Sequence, residues 1–214
     1  MKVELETQIL GPLEEAIKEA LKSKKRRFTE AVDLIITLEG LDLRQPKNRI
    51  KAKITLPHIV RRNAKICVIA SGDLLLKAKE MNLRVIDKEE LESLAKNKKL
   101  AKKLAKEYDL FIAKADMMPL VGRIMGPILG PRGKMPQPLP PTADPKPSIE
   151  LAKRSIRIRV KNQPIINCKV GHVNQDAKEI VENIMTVVRE VENFYKKPGV
   201  IRDAYVKTTM GPSV

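Results

Sequence analysis

Aromatic residues make up only 3% of this 214-residue chain. A protein that holds single-stranded nucleic acid by stacking bases needs a row of rings, and Phe28 is the only aromatic residue embedded in a basic cluster. Cysteine is as scarce. Cys67 and Cys168 are the only two, each inside an apolar strand-like run, so packing is their expected role and a disulfide framework or redox pair is not. With His58 and His172 as the only histidines, a Cys/His metal site lacks ligands, and no cofactor is expected. Nor is a nucleophile with a paired base visible, because His58 follows Pro57 in a basic loop and His172 ends a hairpin, so catalysis is not expected. No apolar run is long enough to span a bilayer and no signal-peptide core follows Met1-Lys2. The expectation is an intracellular, cytoplasmic protein that is not embedded in a membrane.

What the chain has in excess is positive charge. Forty-two Lys and Arg against 26 Asp and Glu give +16, a surplus that repels itself unless a polyanion supplies the counter-charge. A solvated basic surface is the alternative. Pro12 at a first helical position, then Leu13, Ile17, Ala20 and Leu21 at helical spacing, predict a helix from about residue 12 to 23. Lys22, Lys24, Lys25, Arg26 and Arg27 crowd its exit, more than a helix C-terminus needs to complement its dipole. The lysines at 96, 98, 99, 102, 103 and 106 read as the solvated face of another helix.

Alternation organises the two ends of the chain. A strand from Thr29 to Leu38 puts Val32, Leu34, Ile36 and Leu38 on one face. The next, Arg49 to Leu56, sets Ile50, Ala52, Ile54 and Leu56 against Arg49, Lys51 and Lys53, and the same apolar-in, basic-out device recurs at Ile156, Ile158 and Val160 against Arg157, Arg159 and Lys161. These two fit one antiparallel sheet with a covered face and a wet, positive face. A hairpin is predicted from Ser155 to Val173 with a break at Asn162-Gln163-Pro164, then a helix from 176 to 196 opened by Asp176 and Glu179 as a capping box. Ile201 to Thr209 read as a terminal strand closed by Gly211-Pro212. Its candidate partners are the early strand and the basic strand near Arg157.

Between the ends the rhythm changes. A short apolar strand (65–71), a helix (74–81), a strand (83–87), a Lys-rich helical stretch (89–108) and a further apolar strand (109–115) describe a parallel α/β layer. Pro136 to Pro147 reads as its irregular exit. The fold class is therefore α/β in two domains. One is a discontinuous α+β sandwich from residues 1–66 plus 155–214, with helices on one face of an antiparallel sheet. The other is an inserted Rossmann-like domain at 67–154.

The glycine-rich run from Gly122 to Met135 invites a phosphate-loop reading, but the spacing fails. A Walker loop needs a Gly five places before Gly133 and a Ser or Thr after Lys134, where the chain has Ile128 and Met135, and Pro127 and Pro131 remove amide donors. Gly72 stands alone, without the further glycines of a dinucleotide turn. Few aromatics and much charge favour folded RNA, read through phosphates, 2′-hydroxyls and shape. Duplex DNA ranks second because no basic helix with base-reading residues is evident.

Three motifs, Leu56-Pro-His58, Gly126-Pro-Ile-Leu-Gly-Pro-Arg-Gly-Lys-Met-Pro136 and Thr208-Thr-Met-Gly-Pro-Ser213, in this order and spacing, resemble the family of the first large-subunit ribosomal protein, that of the mobile lateral stalk, in its archaeal form. The resemblance spans essentially the whole chain. It implies an RNA-binding domain built from both chain ends with an inserted α/β domain, and no enzymatic activity. It further implies binding to stalk-region large-subunit ribosomal RNA, a part in releasing deacylated transfer RNA from the exit site, repression of its own messenger RNA, and a monomer off the ribosome. Carried over, the family's RNA surface falls on Arg27, Phe28, Lys169 to His172, Thr208, Thr209, Met210 and Gly211. Lys51 and Lys53, on the basic face of their strand, join that expected surface. Threonine hydroxyls can bond 2′-hydroxyls, and Phe28 and Met210 offer apolar contact to a sugar or base. An enzyme acting on RNA or nucleotides and a general DNA-binding basic protein are the competing classes.

Overall fold

The computed structural model describes residues 2–22, 26–140, 144–196 and 199–214, with residues 2–10 as backbone only. The chain divides into two compact units, Met1–Arg61 with Arg154–Val214, and Arg62–Lys153.

The first unit carries α1 (Lys2–Leu21), β1 (Ala31–Leu38), β2 (Lys51–Thr55), and later β7 (Ser155–Arg159), β8 (Ile165–His172), α8 (Ala177–Tyr195) and β9 (Ile201–Thr208). Its main sheet is three-stranded and antiparallel in the order β8-β1-β9, so the terminal strand lies against the early one, Leu34 facing Val206. Strict alternation in β1 buries Val32, Leu34, Ile36 and Leu38. The core is completed by Ile17 and Ala20 of α1 and by Ile180, Ile184, Val187 and Val191, which helical spacing aligns on one face of α8. Each buried Val, Leu or Ile contributes roughly 1.5–3 kcal/mol relative to exposure. The Asp176 carboxylate accepts from the Lys178 amide at 3.4 Å to start α8, and Lys196, at φ 49°, ends it. Helices thus cover one face of the sheet. The residues on the other face of β1, Ala31, Asp33, Ile35 and Thr37, remain half-buried.

Two pairings differ from the sequence reading. Of the two candidate partners for β9 the structure takes β1 and not β7; β7 pairs antiparallel with β2, as expected, but in a separate two-stranded sheet. Nor do β7 and β8 form a ladder with each other. Pro164 lacks an amide donor, and its carbonyl instead accepts from Leu38 at 2.8 Å, handing the chain from the small sheet to the large one. α1 also differs, for it starts at Lys2 and carries Pro12 in its interior. The segment before Pro12 (Val3-Glu-Leu-Glu-Thr-Gln) is rich in helix formers, and that propensity extends the helix across a residue that sequence reasoning takes as its start. Lys24 and Lys25 of the basic run, and Lys197-Pro198 after α8, lie outside the described residues.

The second unit is a parallel sheet in the order β4-β3-β5-β6, made of β3 (Ile66–Ile69), β4 (Arg84–Ile86), β5 (Leu110–Lys114) and β6 (Gln137–Leu139). Alternate residues of β3 serve opposite faces. Cys67 and Ile69 pack with Leu91 and Leu94 of α3 (Lys88–Lys96), Ala101 and Ala105 of α4 (Lys98–Glu107), Val121 of α5 (Met118–Ile124) and Leu129 of α6 (Gly126–Leu129). Ile66 and Val68 pack with Leu74 and Ala78 of α2 (Asp73–Glu80) and with Ile149 and Ala152 of α7 (Pro145–Arg154). The Lys-rich stretch is two helices, because Asn97 leaves helical geometry at φ −118° and caps α4 by accepting from Leu100. The expected irregular exit holds structure as well: β6 runs parallel to β5, with Pro138 tolerated because β6 is an edge strand, and α7 begins at Pro145. Residues 141–143 of that exit lie outside the described residues.

Candidate nucleic-acid interface

The C-terminal motif turns the chain back on itself. Val206 and Val214 exchange two backbone hydrogen bonds at 2.9 Å, Lys207 bridges to Ser213, and the Gly211 amide donates to the Thr208 carbonyl at 3.1 Å. The tip of this tight hairpin is docked onto the start of β1. Thr209 donates its amide to the Ala31 carbonyl at 3.0 Å, while its hydroxyl lies 3.1 Å from the Ala31 amide and 3.3 Å from the Ala31 carbonyl. Glu30, 4% exposed, accepts from the Met210 amide at 2.9 Å through Oε1 and from the Val173 amide at 3.1 Å through its carbonyl. Three chain segments that are distant in sequence therefore meet at one end of the main sheet. Met210 (60% exposed) and Phe28 (56%) are presented there as apolar contacts, with Arg27 exposed beside Phe28.

The open face of the sheet continues this end. Asp33 of β1 faces Lys169 of β8 on one side and Lys207 of β9 on the other. Burial pushes the Asp33 carboxyl up, and the two ammonium groups pull it partly back. In the next row, Ile35 lies between Asn167 and Tyr205. Two cations around one carboxylate leave a net positive, partly apolar floor, suited to a phosphate backbone and a sugar or base edge.

Four residues of the expected surface, Val170, Gly171, His172 and Thr208, are buried instead. Thr208 is fully buried and His172 is 9% exposed, both turned into the unit. His172 continues the inward parity of Ile166, Cys168 and Val170, so strand alternation already carried that signal. Gly171 beside it is needed for packing: a Cβ there would meet Ile180 Cγ1 at 2.9 Å and Gln175 Oε1 at 3.0 Å. Glu30 escaped the sequence reading, although it shares the parity of Val32 and Leu34 and so announced an inward-facing acid at the mouth of a strand.

Lys51 and Lys53 belong to a second basic element of the same unit. In the β2–β7 ladder Lys51 faces Arg159 and Lys53 faces Arg157, all four exposed. Like charges directly opposite destabilise a sheet. The Lys53 ammonium is pushed below its ordinary value by burial and then by Arg157 and Arg61.

The other motifs are architectural. His58 Nε2 lies 2.6 Å from Glu182 and Nδ1 lies 3.8 Å from Glu179, while its amide donates to the buried Asn183 side chain at 3.1 Å. Asn183 in turn donates to Val170 at 2.8 Å, so Leu56-Pro-His58 fastens its loop to α8 and β8. In the glycine-rich run, Lys134 Nζ donates to the carbonyls of Tyr108 at 2.7 Å and Ala105 at 3.2 Å, capping the end of α4. Gly133, at φ +70°, makes the turn that aims it. Burial pushes both Cys67 and Cys168 thiols up to about 12, which leaves them un-ionised. Among the described residues no His, Cys, Asp and Glu cluster could hold a metal, and no helix is long and apolar enough to cross a membrane.

The profile of the ribosomal protein L1p/L10e family matches residues 20–212. The chain belongs to this family. Its relatives include proteins named large ribosomal subunit protein uL1 from several archaea. That of Thermofilum pendens is 50% identical, aligned over 95% of this chain and 92% of its own length. That of Archaeoglobus fulgidus is 47% identical over 94% and 95%, and that of Methanocaldococcus jannaschii 48% identical over 94% and 92%. This L1-family chain is thus a structural ribosomal protein and not an enzyme.

Proposed function

We propose that this chain is a large-subunit ribosomal protein whose first unit, read from sequence as residues 1–66 plus 155–214, binds the lateral-stalk region of large-subunit ribosomal RNA. The same surface represses translation by binding its own messenger RNA, and the protein takes part in releasing deacylated transfer RNA from the exit site. Off the ribosome it is a monomer. The observation that carries this reading is the meeting of Arg27 and Phe28, Lys169 and Lys207, and Thr209 to Gly211 at one end of a sheet. Exposed apolar side chains, hydroxyl and backbone groups and two lysines there match what folded RNA offers. Thr208 and His172 act from inside, holding the strand ends that present the contact groups. Lys51 and Lys53, with Arg157 and Arg159, supply a backbone-phosphate term. A messenger site is recognised because it presents the same RNA shape as the stalk, so the two RNAs compete.

The test is competition across salt. Phosphate contacts weaken steeply as salt rises, roughly a thousandfold between about 50 and 200 mM for about six contacts on duplex DNA. At about 0.5 M salt the stalk fragment is expected to outcompete transfer RNA and duplex DNA, and the leader of the protein's own messenger to displace it. Equal affinities there would overturn the specific reading in favour of a general basic nucleic-acid binder.

A further inference from the structure

Helix α4 is charged in a way that its own stability does not call for. Lys98, Lys99, Lys102, Lys103 and Lys106 are all exposed, as is Lys96 just before the Asn97 cap, while Ala101 and Ala105 face the core. Positions 99, 102, 103 and 106 follow the i, i+3, i+4, i+7 rule and share one face, a stripe about 10 Å long at 1.5 Å per residue. The neighbouring α3 obeys the dipole rule, with Glu89 and Glu90 in its first turn and Lys96 in its last. α4 reverses it: no acidic residue stands in its first turn, and Lys98 and Lys99 sit against the positive end of the dipole. The i, i+4 pairs 98/102, 99/103 and 102/106 repel as well. The lysines are not required at the other end either, because Lys134 already bonds the Ala105 and Tyr108 carbonyls.

We propose that the outward face of α4 is a second docking surface, in the inserted unit, that receives the phosphodiester backbone of RNA. The inference rests on the reading of the chain as a ribosomal-RNA binder. Lysine ammonium groups are mobile point charges without the planar fork that reads bases, so the stripe adds affinity and salt dependence and carries no sequence information. Its local destabilisation is offset when phosphates lie along it.

The test uses the full chain and a fluorescein-labelled RNA duplex of about 24 mixed base pairs, titrated at several salt concentrations. Lys99→Gln, Lys102→Gln, Lys103→Gln and Lys106→Gln are combined. The control combines Lys77→Gln, Lys79→Gln, Lys88→Gln and Lys146→Gln, which are exposed lysines of the same unit and lower the net charge equally. Each lost phosphate contact removes about 0.9 from the log–log salt slope on B-DNA, and less on single strands. The α4 variant is expected to be shallower by about 2–3 and the control by less than about 1, with the four-fold Lys→Arg variant binding like the parent. The α4 variant's melting temperature is expected unchanged or slightly raised, as repulsion is relieved. A slope no shallower than the control's overturns the proposal and assigns the stripe to solvent or to an acidic protein. Binding of the stalk fragment at about 0.5 M salt reports on the first unit alone, so failure of the α4 surface and failure of the proposed function give different results.

Discussion

The hydroxyl of Thr209 is the most informative atom to remove. It has one proton and two lone pairs. The proton is directed to the Ala31 carbonyl at 3.3 Å and one lone pair accepts from the Ala31 amide at 3.1 Å. One lone pair is left at an exposed position, free to accept from a ribose 2′-hydroxyl. Thr209→Val keeps the shape and the backbone bond from its amide to Ala31, and removes all three capacities. In the free protein water replaces the lost partners, so stability is expected to fall by about 0.5–1.5 kcal/mol, the net worth of an ordinary hydrogen bond. In the complex the RNA hydroxyl is left desolvated and unpaired, at a cost of about 1–3 kcal/mol, or roughly 5- to 150-fold in Kd. Urea unfolding measures the first quantity, and titration of a stalk fragment at about 0.5 M salt the second. Thr209→Ser restores the hydroxyl and is expected to recover binding. If Thr209→Val is less stable but binds like the parent, the hydroxyl is used up within the fold and makes no RNA contact.

Asp33→Asn tests the open face. The raised folded value means that the native state gains relative stability below the ordinary carboxyl value of 3.8 and loses it as pH rises through the folded value. Denaturation from pH 3 to 7 should therefore show that loss in the parent and not in Asp33→Asn, which should also bind RNA more tightly at low salt with Lys169 and Lys207 unopposed. Lys134→Met keeps the aliphatic stem and removes the cap on α4, so the inserted unit is expected to lose about 1–3 kcal/mol by thermal or urea melting, while high-salt RNA binding stays unchanged. Replacing residues 62–153 by a short Gly/Ser linker is feasible because Thr55 pairs with Ser155 and the Leu56 amide donates to Arg154. The shortened chain is expected to keep its high-salt affinity for the stalk fragment, and a folded monomer weaker by more than about 3 kcal/mol would overturn the placement of the main surface in the first unit.

Much of this was legible in the sequence because alternation is a local signal. The inward run Val32, Leu34, Ile36, Leu38 and the matching basic faces of β2 and β7 needed only a period of two, and the apolar face of α8 only a period of 3.6. What was lost depends on distant partners. The sequence alone does not say whether Pro12 opens a helix or sits inside one, or that the chain leaves one sheet for another at Pro164. For the glycine-rich run, spacing is enough to reject a phosphate loop, but its structural role shows only when Tyr108 and Ala105 are seen to lie within reach of Lys134. At the interface, the outward parity of Lys207 and Thr209 was visible, whereas the bond from Met210 to Glu30 joins residues at opposite ends of the chain and has no local signature.

The motifs that made the family recognisable and the groups proposed to touch RNA overlap only at the chain terminus. Leu56-Pro-His58 and the glycine-rich run are consumed in fastening elements together, through Glu182, Asn183, Ala105 and Tyr108. Beyond Arg27, Lys169 and Lys207 at the sheet end, positive charge is concentrated in the β2–β7 ladder and along α4, where like charges lie close together at a cost to the free fold. That arrangement separates two tasks physically. In the proposed function the sheet end, with its fixed hydroxyl, backbone and apolar groups, supplies the contacts that salt does not screen and that a matching RNA shape completes. The opposed cations are there the source of an attraction that any RNA would satisfy and that salt would remove. Because binding only the folded state adds stability by mass action, the strain built into the cationic elements would be relieved where phosphates surround the protein, and the chain is expected to melt at a higher temperature with RNA than without it.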